Sequence, residues 1–425
     1  MKKFKTEILI IGSGAAGATL ARELSARKKR VIVAEKGFFI THFGNMFLAD
    51  KFYDRHGMLK SIDGINVYRG IGVGGSTLIS CGNGLRVLSN KLNKWGIDLI
   101  DEFEETEKDL HLAPLPDRLI GEGTNRIIKA AKDLNITMGK MPKFIDPNKC
   151  SSCGNCIWGC SKGAKWTSVS YINEAIERGA TVLTGIEIIE ILVKDGRAIG
   201  AKGMLQNHRQ CIFEAEKIVV SAGALDTPLI LKKTGLIEAG ENLFLDLFNV
   251  TYGFADDIAP TNEPPMSVVS TDFYEKDGYI LSTFIDRKFP FALLLPKKKI
   301  LCSFKRNRVL GLMTKINDDN NGKVFANGKF EKHLTTDDLE KLKKGTATAK
   351  KILLKMGVKE DSIFVTKIRG VHPGGTAALG RIIKSNFETK IKQLYVCDAS
   401  VFPCSPGLPP IVTIVALAKK LAKVL

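Results

Sequence analysis

The 425-residue chain lacks any run approaching about 18 consecutive apolar residues, so no membrane-spanning helix is expected. Its start, Met1-Lys2-Lys3-Phe4-Lys5, is basic. The apolar stretch that follows, Ile8 to Ile11, stops at glycines and is too short for a secretory leader, so a cytoplasmic location is expected. Acidic residues are scarce relative to basic ones: 45 Asp+Glu against 63 Lys+Arg leave a formal charge of +18. That excess favours anionic partners. The basic residues are spread out and accompany no recognisable binding module, so a nucleic-acid partner is not expected. A disulfide framework is also missing. The nine cysteines are an odd count, and Cys81, Cys211, Cys302, Cys397 and Cys404 are scattered singly. The rest of the composition, 44% hydrophobic and 25% charged, is that of a globular protein, and the length suits two connected lobes.

What is present begins at once. Ile8-Leu9-Ile10-Ile11 reads as a buried parallel strand. Gly12-Ser13-Gly14-Ala15-Ala16-Gly17 follows, then an Ala/Leu-rich helical stretch to about Arg27, then a second apolar strand, Val31-Ile32-Val33-Ala34, ending at Glu35. Gly12 permits the tight turn, Gly14 lets a pyrophosphate approach the backbone, and Gly17 lets helix and strand pack closely. The helix N-terminus supplies free N–H groups and a positive dipole end. Glu35 stands where a carboxylate can accept from a ribose hydroxyl. The order predicts a Rossmann-type dinucleotide-binding unit, without separating FAD from NAD.

Four further segments bear on that choice. Gly72-Val73-Gly74-Gly75-Ser76-Thr77-Leu78 resembles the second glycine motif of the glucose–methanol–choline (GMC) oxidoreductases. Val219 to Pro228 resembles their second signature, His372-Pro373-Gly374-Gly375-Thr376 their histidine motif, and Leu394 to Leu417 their closing flavin-binding segment. The resemblance implies an α/β fold with an α+β second lobe: a Rossmann-type FAD-binding domain carrying an inserted antiparallel-sheet substrate domain. It implies FAD contacts at Gly12, Gly14 and Gly17 for the pyrophosphate and Glu35 for the adenosine ribose. Gly74, Gly75 and Ser76 lie toward the ring, and Ile188 meets the adenine through its backbone. Ala222 and Gly223 line the nucleotide, Asp398 and Ala399 hold the ribityl–phosphate region, and the Pro410-Ile411-Val412 turn meets the isoalloxazine. Asp398 also reads as a helix N-cap.

His372 is the residue implied as catalytic acid/base, exchanging a proton with substrate as hydride passes between flavin N5 and an alcohol- or carbonyl-type carbon. His42, His56, His111, His208 and His333 carry no motif and read as surface residues. Two departures stand out. Relatives place a second polar group, His or Asn, where this chain has Pro409, and an Asn where it has Ser80. Half of the expected polar pair is missing. Another residue substitutes, the substrate is more activated, or the flavin works in the reductive direction.

Cys150, Cys153, Cys156 and Cys160 have the spacing C-x₂-C-x₂-C-x₃-C, which lets thiolates converge on a [4Fe–4S] cluster, with Gly154 and Gly159 permitting the curl. Zinc or a metal-free cysteine loop are the alternatives. A cluster would pass electrons to a one-electron partner, and the basic chain would suit an acidic ferredoxin-like carrier. The rival reading is an electron-transfer flavoprotein subunit with no substrate of its own.

The expected organisation is an FAD-binding domain built from residues 1–110, 165–250 and 365–425. Insertions at 111–164, holding the cysteines, and 251–364, the substrate domain, interrupt it. A helix is predicted around Glu122–Leu134, strands at Tyr279–Ile285 and Val309–Ile316, a hairpin turn at 318–322, and a long amphipathic helix from Asp337 to Met356 capped by Thr335 or Thr336. Phe289–Pro296, beside Lys297, Lys298 and Lys299, reads as a buried strand with a lysine turn, or as a patch for peripheral membrane contact or an oily substrate.

Overall fold

The apolar run at Ile8–Ile11 is the buried end of a longer strand, Lys2–Ile11, in the middle of a seven-stranded sheet. The computed structural model describes residues 2–255, 262–286, 291 and 308–425. Thr181–Leu183, Val31–Ala34, Lys2–Ile11 and Gln210–Val220 lie side by side and parallel. The strand Gln210–Val220 serves two neighbours. Its last residues pair in parallel with Leu394–Val396, and its first pair antiparallel with Arg197–Leu205, which in turn pairs with Ile186–Lys194. Val31–Ala34 is buried along its whole length, as expected of a sheet covered on both faces. The helices Ala15–Ala26 and Ile411–Val424 pack on each other and join their buried side chains to this core.

A second, eight-stranded sheet is largely antiparallel. Its centre runs Leu247–Phe254, Val309–Ile316, Tyr279–Thr283, Val268–Ser270, and it also takes in short strands at Asn66–Val67, Gly139–Lys140 and Arg369–Gly370. Val309–Ile316 is buried at every position, so the sheet is covered on both faces. The α/β class with a Rossmann-type sheet and an antiparallel second sheet is as expected.

The long helix spans Thr336–Lys355 and packs against that second sheet. Thr335 caps it: its side chain accepts from the Asp338 N–H, and the Asp338 carboxylate accepts from the Thr335 N–H, a reciprocal capping box. Gly345 does more than weaken the helix. A Cβ there would collide with Thr314 Cγ2 and lie 2.9 Å from Tyr279 Cδ2, so glycine sets how closely helix and sheet approach. Gly345→Ala is expected to cost about 1–3 kcal/mol of stability, read as a lower thermal midpoint with flavin content per folded protein unchanged.

The first helix of the 111–164 segment runs Glu122–Lys132, near its expected place. The predicted hairpin at 318–322 does not form. The strand after it, Gly322–Val324, pairs with Glu241–Leu243 and Phe330–Glu331 instead of folding back. The reason is Asp318, which is buried and accepts from the backbone N–H groups of Leu245 (3.0 Å) and Asp246 (2.7 Å), so tertiary partners override the local turn chemistry. Phe289–Pro296 and the three lysines after it lie outside the described residues, apart from Phe291, which is buried. Among the described residues no helix is long and apolar enough to cross a membrane.

Candidate active site

The glycine turn after Lys2–Ile11 opens onto a cavity of about 1400 Å³ that extends to the second sheet. Typical small-molecule pockets hold roughly 300–1,000 Å³, so there is room for a nucleotide coenzyme and a second molecule. Gly12, Gly14, Glu35, Ile188, Ala222 and Gly223 line one region; Gly75, Ser76, Asp398, Ala399, Pro410 and Ile411 continue the wall toward His372.

The walls fit FAD. Added Cβ atoms at Gly14 and Gly223 would meet nothing within 4 Å, so both residues face open space. The helix Ala15–Ala26 starts directly after Gly14 and points its unpaired N–H groups and positive dipole end there. Gly12 has φ +97°, and a Cβ would run into the Ser221 backbone. Glu35 is buried and held by three donors: Ser13 N–H (2.9 Å), Ser13 Oγ (2.7 Å) and Gly37 N–H (2.8 Å). Asp398 both caps and faces the cavity. Its carboxylate accepts from Ser400 N–H (2.7 Å), Gly223 N–H (2.9 Å) and Thr227 Oγ1 (2.7 Å), and burial pushes its pKa up.

Three expected contacts do not line the cavity. Gly17 lies against Gly12 and Ile10, where it permits helix–strand packing. Gly74, at φ +102°, has Val169 and Leu78 where a Cβ would be. Val412 is fully buried in the core face of the closing helix, so only Pro410 and Ile411 of that turn reach the cavity.

His372 lies at φ +51°, in the left-handed region, which at a non-glycine residue is a mark of functional sites. Its Nδ1 is 3.0 Å from Asp246 Oδ2 and 2.9 Å from Lys315 Nζ, and Lys315 Nζ is 2.8 Å from the same carboxylate oxygen. Asp246 and Lys315 are buried, whereas 31% of the His372 side chain is exposed, on the cavity side. Asp246 Oδ1 accepts from Ser405 Oγ (2.7 Å) and Gly407 N–H (3.0 Å). Burial, then the Lys315 charge, push the imidazole down to about 4 against the opposing pull of Asp246, so His372 is neutral at ordinary pH. Burial also lowers Lys315, and Lys315 and His372 hold Asp246 low against the opposing effect of burial. Pro409 lines the same cavity without a polar atom in its side chain, and Ser80 donates to Thr77 O (3.1 Å). The other five histidines are exposed.

Lys315 and Asp246 escape a motif-based reading, yet each carries a signal. Lys315 is a lone charge in Val309-Leu-Gly-Leu-Met-Thr-Lys-Ile316, and Asp246 a lone charge in Leu243-Phe-Leu-Asp-Leu-Phe248. Charges in otherwise buried runs are rarely left without a task.

Beyond this triad Phe248, Met266, Phe284 and Met313 give the cavity an apolar stretch of wall, and Tyr68, Asn83 and Asp286 are among its polar lining residues. Arg369 also lines it, but its guanidinium binds both carboxylate oxygens of Asp286 at 3.0 Å.

The four cysteines lie on one loop without closing around a common centre. Cys150, Cys153, Cys156 and Cys160 line one small cavity of about 20 Å³, space for roughly one water. Among the described residues no three His, Cys, Asp or Glu side chains are gathered so as to hold a metal ion, so the loop is not preassembled around a four-iron cube. Burial pushes Cys156 up to about 12, the direction of a protonated thiol. Next to it, Lys143 and Lys165 are buried, and among the described residues their ammonium groups bind neutral oxygens and no carboxylate. Lys143 reaches Cys81 O (3.1 Å), Asn83 Oδ1 and Pro265 O (2.8 Å), and Lys165 reaches Leu78 O (2.8 Å), Ser80 O (2.7 Å) and Cys156 O (3.0 Å).

A glycine turn opening a helix, an elongated cavity and a neutral histidine at its far end define a nucleotide-coenzyme oxidoreductase. The chain belongs to the GMC oxidoreductases, FAD-dependent oxidoreductases acting on CH–OH groups: residues 6–248 and 317–418 match the family's N- and C-terminal parts. It is 36% identical to the uncharacterized protein MJ1450 of Methanocaldococcus jannaschii, over 98% of this chain and 99% of that one. It is 24% identical to the long-chain-alcohol oxidase FAO3 of Arabidopsis thaliana, over 98% of this chain and 67% of that one. Among solved structures, pyridoxine 4-oxidase from Mesorbium loti superposes with TM-score 0.73 at 16% identity, covering 98% of each chain. Aspergillus oryzae formate oxidase superposes with TM-score 0.77 at 14% identity, over 100% of this chain and 98% of that one. These two likenesses concern the fold.

Proposed function

We propose that this protein interconverts an alcohol carrying an apolar body and the corresponding carbonyl compound, with His372 as the proton-exchanging residue. The observation that carries the reading is an imidazole fixed through Nδ1 by Asp246 and Lys315 and open to a cavity that Phe248, Met266, Phe284 and Met313 help to wall. FAD, when bound, supplies the hydride acceptor and donor. Gly12, Gly14 and Glu35 would hold its adenosine–diphosphate part, with Ile188, Ala222, Gly223, Gly75, Ser76, Asp398, Ala399, Pro410 and Ile411 along the remainder. The division into an FAD-binding lobe (1–110, 165–250, 365–425) with inserted segments belongs to the same proposal.

With Nδ1–H donated to Asp246, the Nε2 lone pair is free to take the hydroxyl proton of an alcohol. In the reverse direction the same nitrogen returns that proton to the carbonyl oxygen. Phe248, Met266, Phe284 and Met313 exclude water and hold the hydrocarbon part, a fit that the likeness to a long-chain-alcohol oxidase supports. The test is anaerobic: the protein is mixed with aliphatic alcohols of increasing chain length, and bleaching of the flavin band is followed. Bleaching that strengthens with chain length is expected. A flavin that no alcohol bleaches, and whose reduced form no aldehyde or ketone reoxidises, would overturn the reading.

We infer a second feature from the cysteine loop: its opening to bind an iron–sulfur cluster. Burial lowers Lys143 and Lys165 against the pull of nearby groups, Glu263 among them for Lys143, and a thiolate-ligated cluster beside the two would be an anion that favours their charged forms. A cluster moves electrons singly, so the acceptor would be a one-electron carrier, and the +18 chain suits an acidic, ferredoxin-like one. Iron and acid-labile sulfide in anaerobically purified protein are expected, lost on Cys153→Ser with flavin retained. Yellow protein free of both removes the cluster and leaves the alcohol reading standing.

A further inference from the structure

The vacancy at Pro409 has a filler from another part of the chain. Asp246, Lys315 and His372 form a closed triangle with sides of 2.8, 2.9 and 3.0 Å. Lys315 lies on Val309–Ile316 of the second sheet and Asp246 just before Leu247–Phe254, its sheet neighbour, while His372 follows the short strand Arg369–Gly370. Lys315 and His372 both line the large cavity, as does Pro409.

We propose that Lys315 is the second polar residue of the catalytic centre, a positioning residue that, with Asp246, fixes the His372 ring and sets which nitrogen carries its proton. The inference rests on His372 being the proton-exchanging residue.

The triangle cannot satisfy all three sides at once. An ammonium only donates, a carboxylate only accepts, and Nδ1 does one or the other. In one arrangement Nδ1–H donates to Asp246, Lys315 donates to the same carboxylate, and Nε2 presents a lone pair to the cavity. In the other, Lys315 donates to Nδ1 and Asp246, and Nε2 carries the proton. In the first, Nε2 takes the proton of an alcohol while Nδ1–H stays donated to Asp246, and in the reverse direction the imidazolium so formed returns that proton to the carbonyl oxygen; in the second, Nε2 has no lone pair to offer, so the partner that holds Nδ1 decides whether the ring can act as base. In each, the ammonium opposes a second charge on the ring. Lys315 acts on Nδ1 of the imidazole and comes from a strand of the second sheet, so its position in the chain bears no relation to the family's motif.

The charged surroundings allow this. Asp318 lies behind the triangle and shares the Ser405 hydroxyl with Asp246. Lys332 Nζ lies 3.2 Å from Asp318 and 3.7 Å from Asp338. The Tyr274 hydroxyl donates to Pro406 O (2.6 Å), Arg369 binds both carboxylate oxygens of Asp286, which also accepts from the Tyr252 hydroxyl, and the Cys81 thiol is pushed toward its neutral form by burial. Among these described groups, Lys315 is the cation in contact with His372.

The test reads the imidazole directly. Flavin-loaded protein with isotopically labelled histidine is titrated by NMR, and the His372 signal is identified by its loss in His372→Asn. Wild type is expected to titrate near 4. Lys315→Met is expected to raise that value by about one pH unit or more, a tenfold change in proton affinity, while Lys315→Arg keeps it low. The acid limb of the flavin-reduction rate should move up with it. If Lys315→Met does not fold, Lys315→Gln removes the charge and keeps hydrogen-bonding capacity. A His372 titration unchanged in the neutral variant overturns the proposal, even if activity falls, because loss of structure alone would lower activity without moving that titration. Loss of turnover in neither Lys315→Met nor His372→Asn would instead overturn the assignment of His372.

Discussion

His372→Asn is expected to slow flavin reduction by alcohol by roughly 10²–10⁴-fold, the usual contribution of a positioned general base, while the protein stays yellow. Asparagine is chosen because it tolerates the left-handed backbone at this position, so the fold should survive. Stopped-flow bleaching under nitrogen separates this step from any later electron transfer. The pH dependence follows from the direction of the shift. His372 is lowered to about 4 from its ordinary 6.5, so the neutral, proton-accepting form prevails above about pH 4, and the rate should fall only as pH drops through that value. A relay protein without its own substrate would behave otherwise: dye reduction by its donor would survive the substitution unchanged. That result would return the flavin to an electron-transfer role.

Gly14→Asp should abolish FAD retention without unfolding the chain. Gly14 has φ −67° and ψ −168°, an extended backbone open to any residue, and it is the N-cap of Ala15–Ala26, a position that aspartate favours. An added side chain would meet no protein atom within 4 Å and would project into the coenzyme's space. A carboxylate facing a diphosphate costs several kcal/mol, so affinity should drop roughly hundredfold or more. Flavin counted after gel filtration, beside the thermal midpoint of the apoprotein, distinguishes a blocked site from a broken fold. Gly12→Ala is the contrasting case. There the added Cβ would strike the Ser221 backbone at a positive φ, so coenzyme loss and destabilisation should come together. Normal FAD content in Gly14→Asp would mean that the coenzyme does not lie against this turn.

Much of the nucleotide end is legible in linear order because its parts are local. Strand, glycine turn, helix and second strand lie within residues 2–34, and each glycine answers a backbone requirement met by its immediate neighbours. The long helix and its Thr335 cap are legible for the same reason, as their period and capping partners fall within a few residues. The hairpin at 318–322 failed because Asp318 finds its hydrogen-bond partners more than seventy residues away, and no local signal competes with a buried carboxylate that needs donors. Gly17, expected both to pack helix on strand and to meet the pyrophosphate, lies against Gly12 and Ile10 in keeping with the packing role. Gly74 and Val412, assigned to the coenzyme by motif, lie off the cavity wall among packed side chains, a placement that spacing alone does not show.

What the sequence by itself determined is the coenzyme-binding architecture and the place of one histidine, because short-range geometry and motif order suffice for both. What only the tertiary structure decided is the company that histidine keeps. Lys315 and Asp246 stand 57 and 126 residues from it along the chain, and only the pairing of Leu247–Phe254 with Val309–Ile316, and with Arg369–Gly370, brings the three together. Their electrostatic effect falls off with distance through space and is indifferent to distance along the chain.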